Sequence, residues 1–253
     1  MKFEAPKTDY SEIAHYYDKV RNTSIDPWLS KIIDYGRIDT NCSVLDVGCG
    51  TGRFTLGLSA VKNLMVCGLE PSIEMLKQAA KKDSSKHVLW VRGDGQRLPF
   101  RSETFNCIYM TMVIHHLQNK VAALREIYRT LKTGGKCVIM TVSHSRIKEY
   151  ILHDFPGIAA MDLKRFPTVP SIRRTMIDIG FKDVHYHVVQ HGEGYISADE
   201  CLEKVRNKYI STLTLLDEEA FQKGFKIFKK RVRKKYGTKI KWTNKFNFVV
   251  GQK

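Results

Sequence analysis

The spacing of hydrophobic positions switches repeatedly between two periods along this chain. Short apolar runs over residues 44–47, 65–69, 88–91, 104–110 and 136–142 read as strands buried on both faces. Residues 181–190 read as a sixth strand, and Phe246, Phe248 and Val250 alternate on one face of a seventh over 244–252. Helical spacing fills the intervals. Tyr10, Ile13, Ala14, Tyr16, Tyr17 and Val20 share one stripe; Trp28, Ile32 and Ile33 form a second, opened by Pro27 and closed by Gly36. Phe54, Leu56, Leu58 and Val61 mark a helix after the first strand, and Ala122, Leu124, Ile127, Tyr128 and Leu131 mark one before the fifth. Ser171 is placed to cap a further helix that ends at Gly180. Strands alternating with helices predict an α/β fold with a doubly wound sheet.

Two segments fall outside that alternation. Residues 146–155 are compatible with a helix, but Pro156-Gly157, Pro167 and Pro170 predict an irregular path over 145–170, where a lid or acceptor site belongs. Residues 197–236 read as an inserted helix pair. Asp217-Glu218-Glu219 starts its second member, and Phe221, Phe225, Phe228 and Val232 form the apolar stripe. With no repeat and no low-complexity linker, residues 1–253 are expected to form one domain. Its core spans about 40–190 and 244–252, and a cap comes from 1–37, 145–170 and 191–243.

Composition changes the picture mainly through charge. Hydrophobic content of 43% and charged content of 27% are ordinary for a globular protein. No apolar run approaches the ~20 residues of a membrane span. Six cysteines without a CxxC pair, most of them in apolar runs, fit a reduced, cytoplasmic protein. The net charge of +16 is uneven: Ala220 to Lys253 holds twelve basic residues and no acid. Lys223, Lys226, Lys230, Arg233 and Lys234 lie opposite the Phe221–Val232 stripe. The basic region 223–245 is therefore either a solvated face or a contact for RNA, an anionic membrane or another acidic partner. Tyr236 and Trp242 beside it fit base stacking or core equally.

The chemistry-bearing stretch is Val44-Leu45-Asp46-Val47-Gly48-Cys49-Gly50-Thr51-Gly52-Arg53. A strand running into a glycine turn and a helix start is how α/β folds approach a nucleotide. Missing Cβ atoms let the backbone bend and come close, and free N–H groups face the ligand. The spacing departs from a dinucleotide fingerprint: Arg53 stands where the third glycine belongs, and Gly52 comes one residue early. Asp46 sets a carboxylate where a pyrophosphate is repelled and a cationic amino group is welcome. The combination argues against NAD and for S-adenosylmethionine. Glu70 ends the second strand twenty residues after Gly50, where an acid can take ribose hydroxyls.

Asp46-Val47-Gly48-Cys49-Gly50-Thr51-Gly52 resembles the first motif of class I S-adenosylmethionine-dependent methyltransferases. The closest branch is the type 11 group, which includes the quinone-biosynthesis C-methyltransferases. The likeness runs from about residue 16 to residue 189. It implies a Rossmann-like seven-stranded sheet, mostly parallel, whose antiparallel last strand slides between the fifth and sixth. It implies S-adenosylmethionine as cofactor and S-adenosylhomocysteine as product. Asp46, Gly48, Gly50, Thr51 and Gly52 are expected at the methionine moiety and Glu70 at the ribose. Pro71-Ser72 continues the pattern, with Ser72 capping a helix and Met75 packing on the adenine. Asp94, with Gly95 and Gln96, is similar to the "GDxxxLPF" acid that accepts from the adenine amino group; without the likeness Asp94-Gly95 is a turn dipeptide. Met110 ends the fourth strand beside the cofactor. Tyr16-Tyr17-Asp18-Lys19-Val20-Arg21 is similar to a segment folding over the methionine end, through Tyr17 and Arg21; the alternative is a surface helix. Asn106 replaces an acid of many relatives.

After the fourth strand stands Thr111-Met112-Val113-Ile114-His115-His116-Leu117. It lacks the Asp/Asn-Pro-Pro-aromatic of base-amine methylation, the glutamate pair of arginine methylation and a Pro-Cys nucleophile. The two histidines resemble type 11 enzymes, whose acceptors are mostly small metabolites, and a small-molecule methyl acceptor is expected. His115 or His116 is either a general base or a shaper of the loop. His185 and His187 lie on one face of the predicted sixth strand, with His191 just beyond it, but no Cys, Asp or Glu stands at ligand spacing, so no metal site is expected. A cofactor-binding regulatory protein without turnover is the alternative outside enzymes.

Overall fold

A computed structural model of the chain describes residues 24–60, 64–84 and 86–253. The expected helix over residues 9–22, with Tyr17 and Arg21, lies outside the described residues, as does Val61.

Seven strands form one sheet in the order β3-β2-β1-β4-β5-β7-β6. They are β1 Ser43–Val47, β2 Met65–Glu70, β3 Val88–Arg92, β4 Phe105–Thr111, β5 Leu131–Thr141, β6 Lys182–Ser197 and β7 Lys239–Gln252. The first five run parallel, while β7 is antiparallel to both β5 and β6. All five residues of β1 are buried, as a strand covered on both faces requires. One face packs under α4 (Lys120–Thr130) and α7 (Val169–Ile179), through Leu45, Ile108, Leu124, Ile127, Ile172 and Met176. The other packs under α1 (Asp26–Gly36), where Trp28 and Ile32 meet Val44, Tyr109 and Phe248. Chain order reverses between β2-β1 and β4, so the crevice above the C-terminal ends of β1 and β4 is the switch point of the sheet. The helices α2 (Arg53–Ser59) and α3 (Ile73–Lys82) follow β1 and β2. Asn106 has a structural use: its Oδ1 accepts from Ser43 N, Ser43 Oγ and Lys132 Nζ, tying β1, β4 and β5.

Above the crevice lies a cap with its own apolar cluster. Leu152, Phe155 and Ile158 meet Leu202 of α8 (Ala198–Arg206) and Phe221, Phe228 and Val232 of α9 (Glu218–Tyr236). Asp217 caps α9 by accepting from Ala220 N, as the acidic run predicts. Between β5 and α7 the chain forms α5 (His144–Glu149), a 3₁₀ turn at Ile151–Asp154 and α6 (Ile158–Arg165).

Several expectations need correction. Residues 158–165 are helical rather than irregular, because Gly157 takes positive φ at the N-cap and the prolines fall outside the helix. Thr168, not Ser171, caps α7, since Pro170 occupies the first turn. Ala123 rather than Ala122 faces the core in α4. The outer strands are longer than predicted, pairing through Ser197↔Lys239, so residues 191–197 and 239–243 extend the sheet instead of belonging to the cap. Residues 191–194 form a register shift in β6, with the Trp242 indole lying over Gly192 and Gly194. His191 is thus inside β6. These histidine rings pack on aromatics: His187 stacks on Tyr35 at 4.4 Å and His191 meets Trp28 edge-on at 6.0 Å.

The basic region is also less bare than its sequence suggests. Acids from distant elements reach it: Lys235 pairs with Asp154, Arg233 with Asp199 and Lys241 with Glu193, while Glu219 of α9 itself holds Lys223. No described residue forms an ion pair with Lys226, Lys230 or Lys234. No described helix is long and apolar enough to cross a membrane.

Candidate active site

The glycine turn is built to leave one face open. Gly48 N and Cys49 N donate to Leu69 O at 2.7 and 3.0 Å, pinning the turn to the end of β2. Gly48, Gly50 and Gly52 all take positive φ, at 74°, 55° and 78°. Their surroundings differ. A Cβ on Gly48 would lie 2.6 Å from Val113, and one on Gly52 would lie 2.6 Å from the Trp90 ring. A Cβ on Gly50 would meet nothing within 4 Å. Gly50 is the point at which the backbone offers room to a ligand.

Glu70 organises this end of the crevice. Its Oε2 accepts from Gly50 N and its Oε1 from Ser72 N, both at 3.1 Å, joining the glycine turn to the start of α3. Burial raises its pKa, and the two backbone donors pull it part of the way back. Ser72 caps α3 by accepting from Met75 N at 3.4 Å. Asp46 lies beneath the turn. Its Oδ2 accepts from Thr55 Oγ1 at 2.7 Å and Tyr109 OH at 3.0 Å, while Oδ1 has no hydrogen-bond partner among the described residues. Burial pushes its pKa up to about 7 against those two hydrogen bonds, and Glu70 adds to the rise.

A third wall follows β3. Asp94 holds Gln96 through the backbone N at 2.9 Å and the side-chain amide at 3.1 Å. Gln96 Oε1 in turn accepts from Asn119 N, the N-cap residue of α4. The expected adenine end is thereby tied to the loop that follows β4. Met112 in that loop is held at positive φ, an unusual conformation for a long side chain, with its N–H on Met140 O.

These walls enclose one cavity of about 1770 Å³. Gly48, Gly50, Thr51, Glu70, Pro71, Ser72, Met75, Asp94, Gly95, Gln96, His115 and His116 all line it. Three expected residues do not. Asp46 is 1% exposed behind the turn, Gly52 packs against Trp90, and Met110 is part of the central core. The cavity continues under the cap to Tyr150, Tyr209, Arg146 and Trp242.

At that far end His115 stacks on Phe166, with ring centroids 3.8 Å apart, and on its other side lies His116 at 4.0 Å. His116 Nδ1 is 3.2 Å from Arg165 Nη2. A guanidinium only donates, so Nδ1 accepts and the neutral ring carries its proton on Nε2. Arg165 is 5% exposed and is held by Thr212 Oγ1, Ser211 Oγ and the carboxylate of Asp162. Lys120 also lines the cavity, with Nζ on Leu117 O at 2.9 Å. Sequence reasoning missed Arg165 because its helix looked irregular, and Lys120 because it stands one residue before the predicted helix. Tyr109, the buried partner of Asp46, looked like one more apolar strand residue.

Residues 45–139 match the family model for a methyltransferase domain, the type 11 group. The demethylmenaquinone methyltransferase of Lactiplantibacillus plantarum is 34% identical over 146 residues, covering 53% of this chain and 61% of that protein. The chain thus spans about three-fifths of that relative. The enzyme of the same name from Lactococcus lactis is 26% identical over 219 residues, covering 75% of this chain and 86% of its own. Among solved structures, an Anabaena variabilis protein reported as a methyltransferase from an antibiotic biosynthesis pathway superposes with a TM-score of 0.73. It is 18% identical and covers 92% of this chain and 99% of its own, a likeness of fold. Glycine turn, strand-end acid and sheet order agree with the methyltransferase domain matched over residues 45–139. Residues 45–139 carry the likeness to the type 11 methyltransferases, and the fold as a whole resembles that of a solved methyltransferase.

Proposed function

We propose that this enzyme methylates a small metabolite bound between the His115-His116 loop and the cap, with the cofactor lying across the glycine turn. One observation carries the reading: a single cavity joins Gly50, Glu70 and Asp94 to the histidine loop and runs on under the cap. A cavity of about 1770 Å³ exceeds the ~300–1,000 Å³ that one small ligand fills, which leaves room for an acceptor beside the cofactor. The residues suit S-adenosylmethionine. Gly50 offers backbone space, Glu70 offers a carboxylate to ribose hydroxyls, Met75 an apolar surface and Asp94 an acceptor for the adenine amine. Asp46 acts from behind the turn: once ionised, its buried carboxylate adds negative potential that favours an ammonium group near the glycine turn.

S-adenosylmethionine supplies an electrophilic methyl group, taken in line by an O, N or C nucleophile. The chain's own part is alignment and exclusion of water. His116 suits hydrogen-bond donation better than proton abstraction, because its Nδ1 lone pair is engaged by Arg165 and Nε2 bears the proton. His115, held between Phe166 and His116, shapes the loop. Replacing His116 with glutamine, which can still donate, should retain more turnover than replacement with leucine; equal loss in both would contradict the donor role.

Isotope-labelled cofactor incubated with cell extract, fractionated into small molecules, RNA and protein, tests the acceptor class. Label is expected in the small-molecule fraction, and label only in RNA would overturn the reading. Glu70→Ala should weaken S-adenosylmethionine binding by about 1–3 kcal/mol in calorimetry, because hydrogen bonds to a charged group are lost.

A further inference from the structure

The turn after β3 meets the start of α4 through a single side chain. Asp94 Oδ1 accepts from Gln96 N and Gln96 Nε2, and Asp94 Oδ2 accepts from the same Nε2 at 3.1 Å. The other end of that carboxamide, Oε1, accepts from Asn119 N. An ionised carboxylate only accepts and a backbone N–H only donates, so the two partners fix the amide in one orientation. Asn119 is itself the N-cap of α4: its Oδ1 accepts from Ala122 N at 2.9 Å and its carbonyl from Ala123 N at 3.2 Å. A chain of hydrogen bonds therefore leads from Asp94 to the first turn of α4, next to the loop that carries His115 and His116. The other end of α4 is held separately. Glu126 accepts from Leu98 N at 2.9 Å, and Arg129 donates to Phe100 O and Leu98 O at 2.8 and 3.1 Å.

Asp94 is exposed, so water competes for these bonds in the protein alone. A carboxylate offers about four acceptor sites, and Gln96 takes three of them, which leaves Oδ2 able to receive an adenine amine. An adenine seated there keeps water away and strengthens the bonds to Gln96. We propose that Gln96 is a positioning residue that couples the two halves of the site. Cofactor bound at Asp94 steadies the Gln96–Asn119 link and so orders the start of α4 and the histidine loop before it. The acceptor then meets a loop whose ordering has already been met by the cofactor, which sets an order of binding, cofactor before acceptor. This rests on the methyltransferase reading and deepens it.

The test is amide exchange by NMR on the full chain, free and saturated with S-adenosylhomocysteine. Ala122 and Ala123 are the reporters, because neither lines the cavity. In wild type the ligand should slow their exchange at least about threefold, the scale of one net hydrogen bond. Gln96→Met keeps the length of the side chain and removes both of its hydrogen bonds, so the slowing should vanish even at saturation. Gln96→Glu can still accept from Asn119 N but sets a second carboxylate against Asp94, and it should lose the slowing as well. A Gln96 that only braces the fold would change exchange equally with and without ligand, and the ligand-induced slowing would survive both substitutions. That result, or no slowing in wild-type protein that binds the ligand, would overturn the proposal. Failure of S-adenosylhomocysteine to bind wild-type protein would instead count against the methyltransferase reading on which it rests.

Discussion

Asp46 is the residue whose chemistry departs furthest from its sequence appearance. In the folded chain it holds a proton up to about pH 7, whereas an ordinary aspartate releases it near 3.8. Between those values the folded protein keeps a proton that the unfolded chain has lost, so stability falls as pH rises and levels off above about 7. The difference is worth on the order of 4 kcal/mol. Glu70, shifted in the same direction, adds to the slope. Asp46→Asn removes the larger contribution, so urea unfolding from pH 4.5 to 8 should give a flatter profile than wild type. Parallel profiles would refute the buried-proton account. The glycines separate by environment in the same way. Gly52→Ala forces a methyl group into Trp90 on top of the strain of a left-handed alanine and should cost about 2–5 kcal/mol of stability. Gly50→Ala meets open space and should cost only the ~1–2 kcal/mol of a left-handed alanine, yet it should weaken cofactor binding more than Gly52→Ala does. Thermal unfolding and calorimetry on the two variants would show whether stability and binding divide along this line.

Elements were legible where local sequence decides them, and less so where tertiary contacts do. Buried strands β1, β2 and β4 stand out because a sheet covered on both faces needs uninterrupted apolar runs. The glycine turn and Glu70 were readable because backbone geometry restricts those positions to few residue types. The β6–β7 extension was hidden because its pairing partners lie far apart in sequence and one contains two glycines. Lys120 and Arg165 were invisible as a pair, since only the fold brings α4 and α6 to one wall. Gly224 shows how an element can depend on a distant ring. A Cβ there would overlap Phe155, which lets α9 close on the Ile151–Asp154 turn. Alanine gains about 1 kcal/mol of helix propensity, but overpacking costs about 1–3 kcal/mol, so packing should win. Gly224→Ala should therefore destabilise the cap, with faster amide exchange in α8 and α9, and adding Phe155→Leu should recover part of the loss. Unchanged exchange in the single variant would mean that the helices separate without cost.

At the scale of the whole molecule the open question is the charge of +16. Any polyanion will find such a surface attractive, so weak RNA binding alone has little meaning. The fold narrows where a meaningful contact can lie. Of the five basic residues opposite the apolar stripe, Lys223 and Arg233 have acidic partners, leaving Lys226, Lys230 and Lys234 as a row one helical turn apart on α9. None of the three lines the cavity. Their joint replacement by glutamate should leave unfolding temperature and S-adenosylhomocysteine affinity unchanged. If single-stranded RNA uses this row, the log–log salt slope of its affinity should shrink by about 2, at ~0.7 per phosphate. On a small-molecule acceptor bound under the cap, turnover by the triple variant should equal wild type at every salt concentration. A selective loss of turnover on the native acceptor, with folding and cofactor affinity intact, would show that the acceptor arrives on an acidic macromolecule docked along α9, and would shift the substrate from a free metabolite to a carried one.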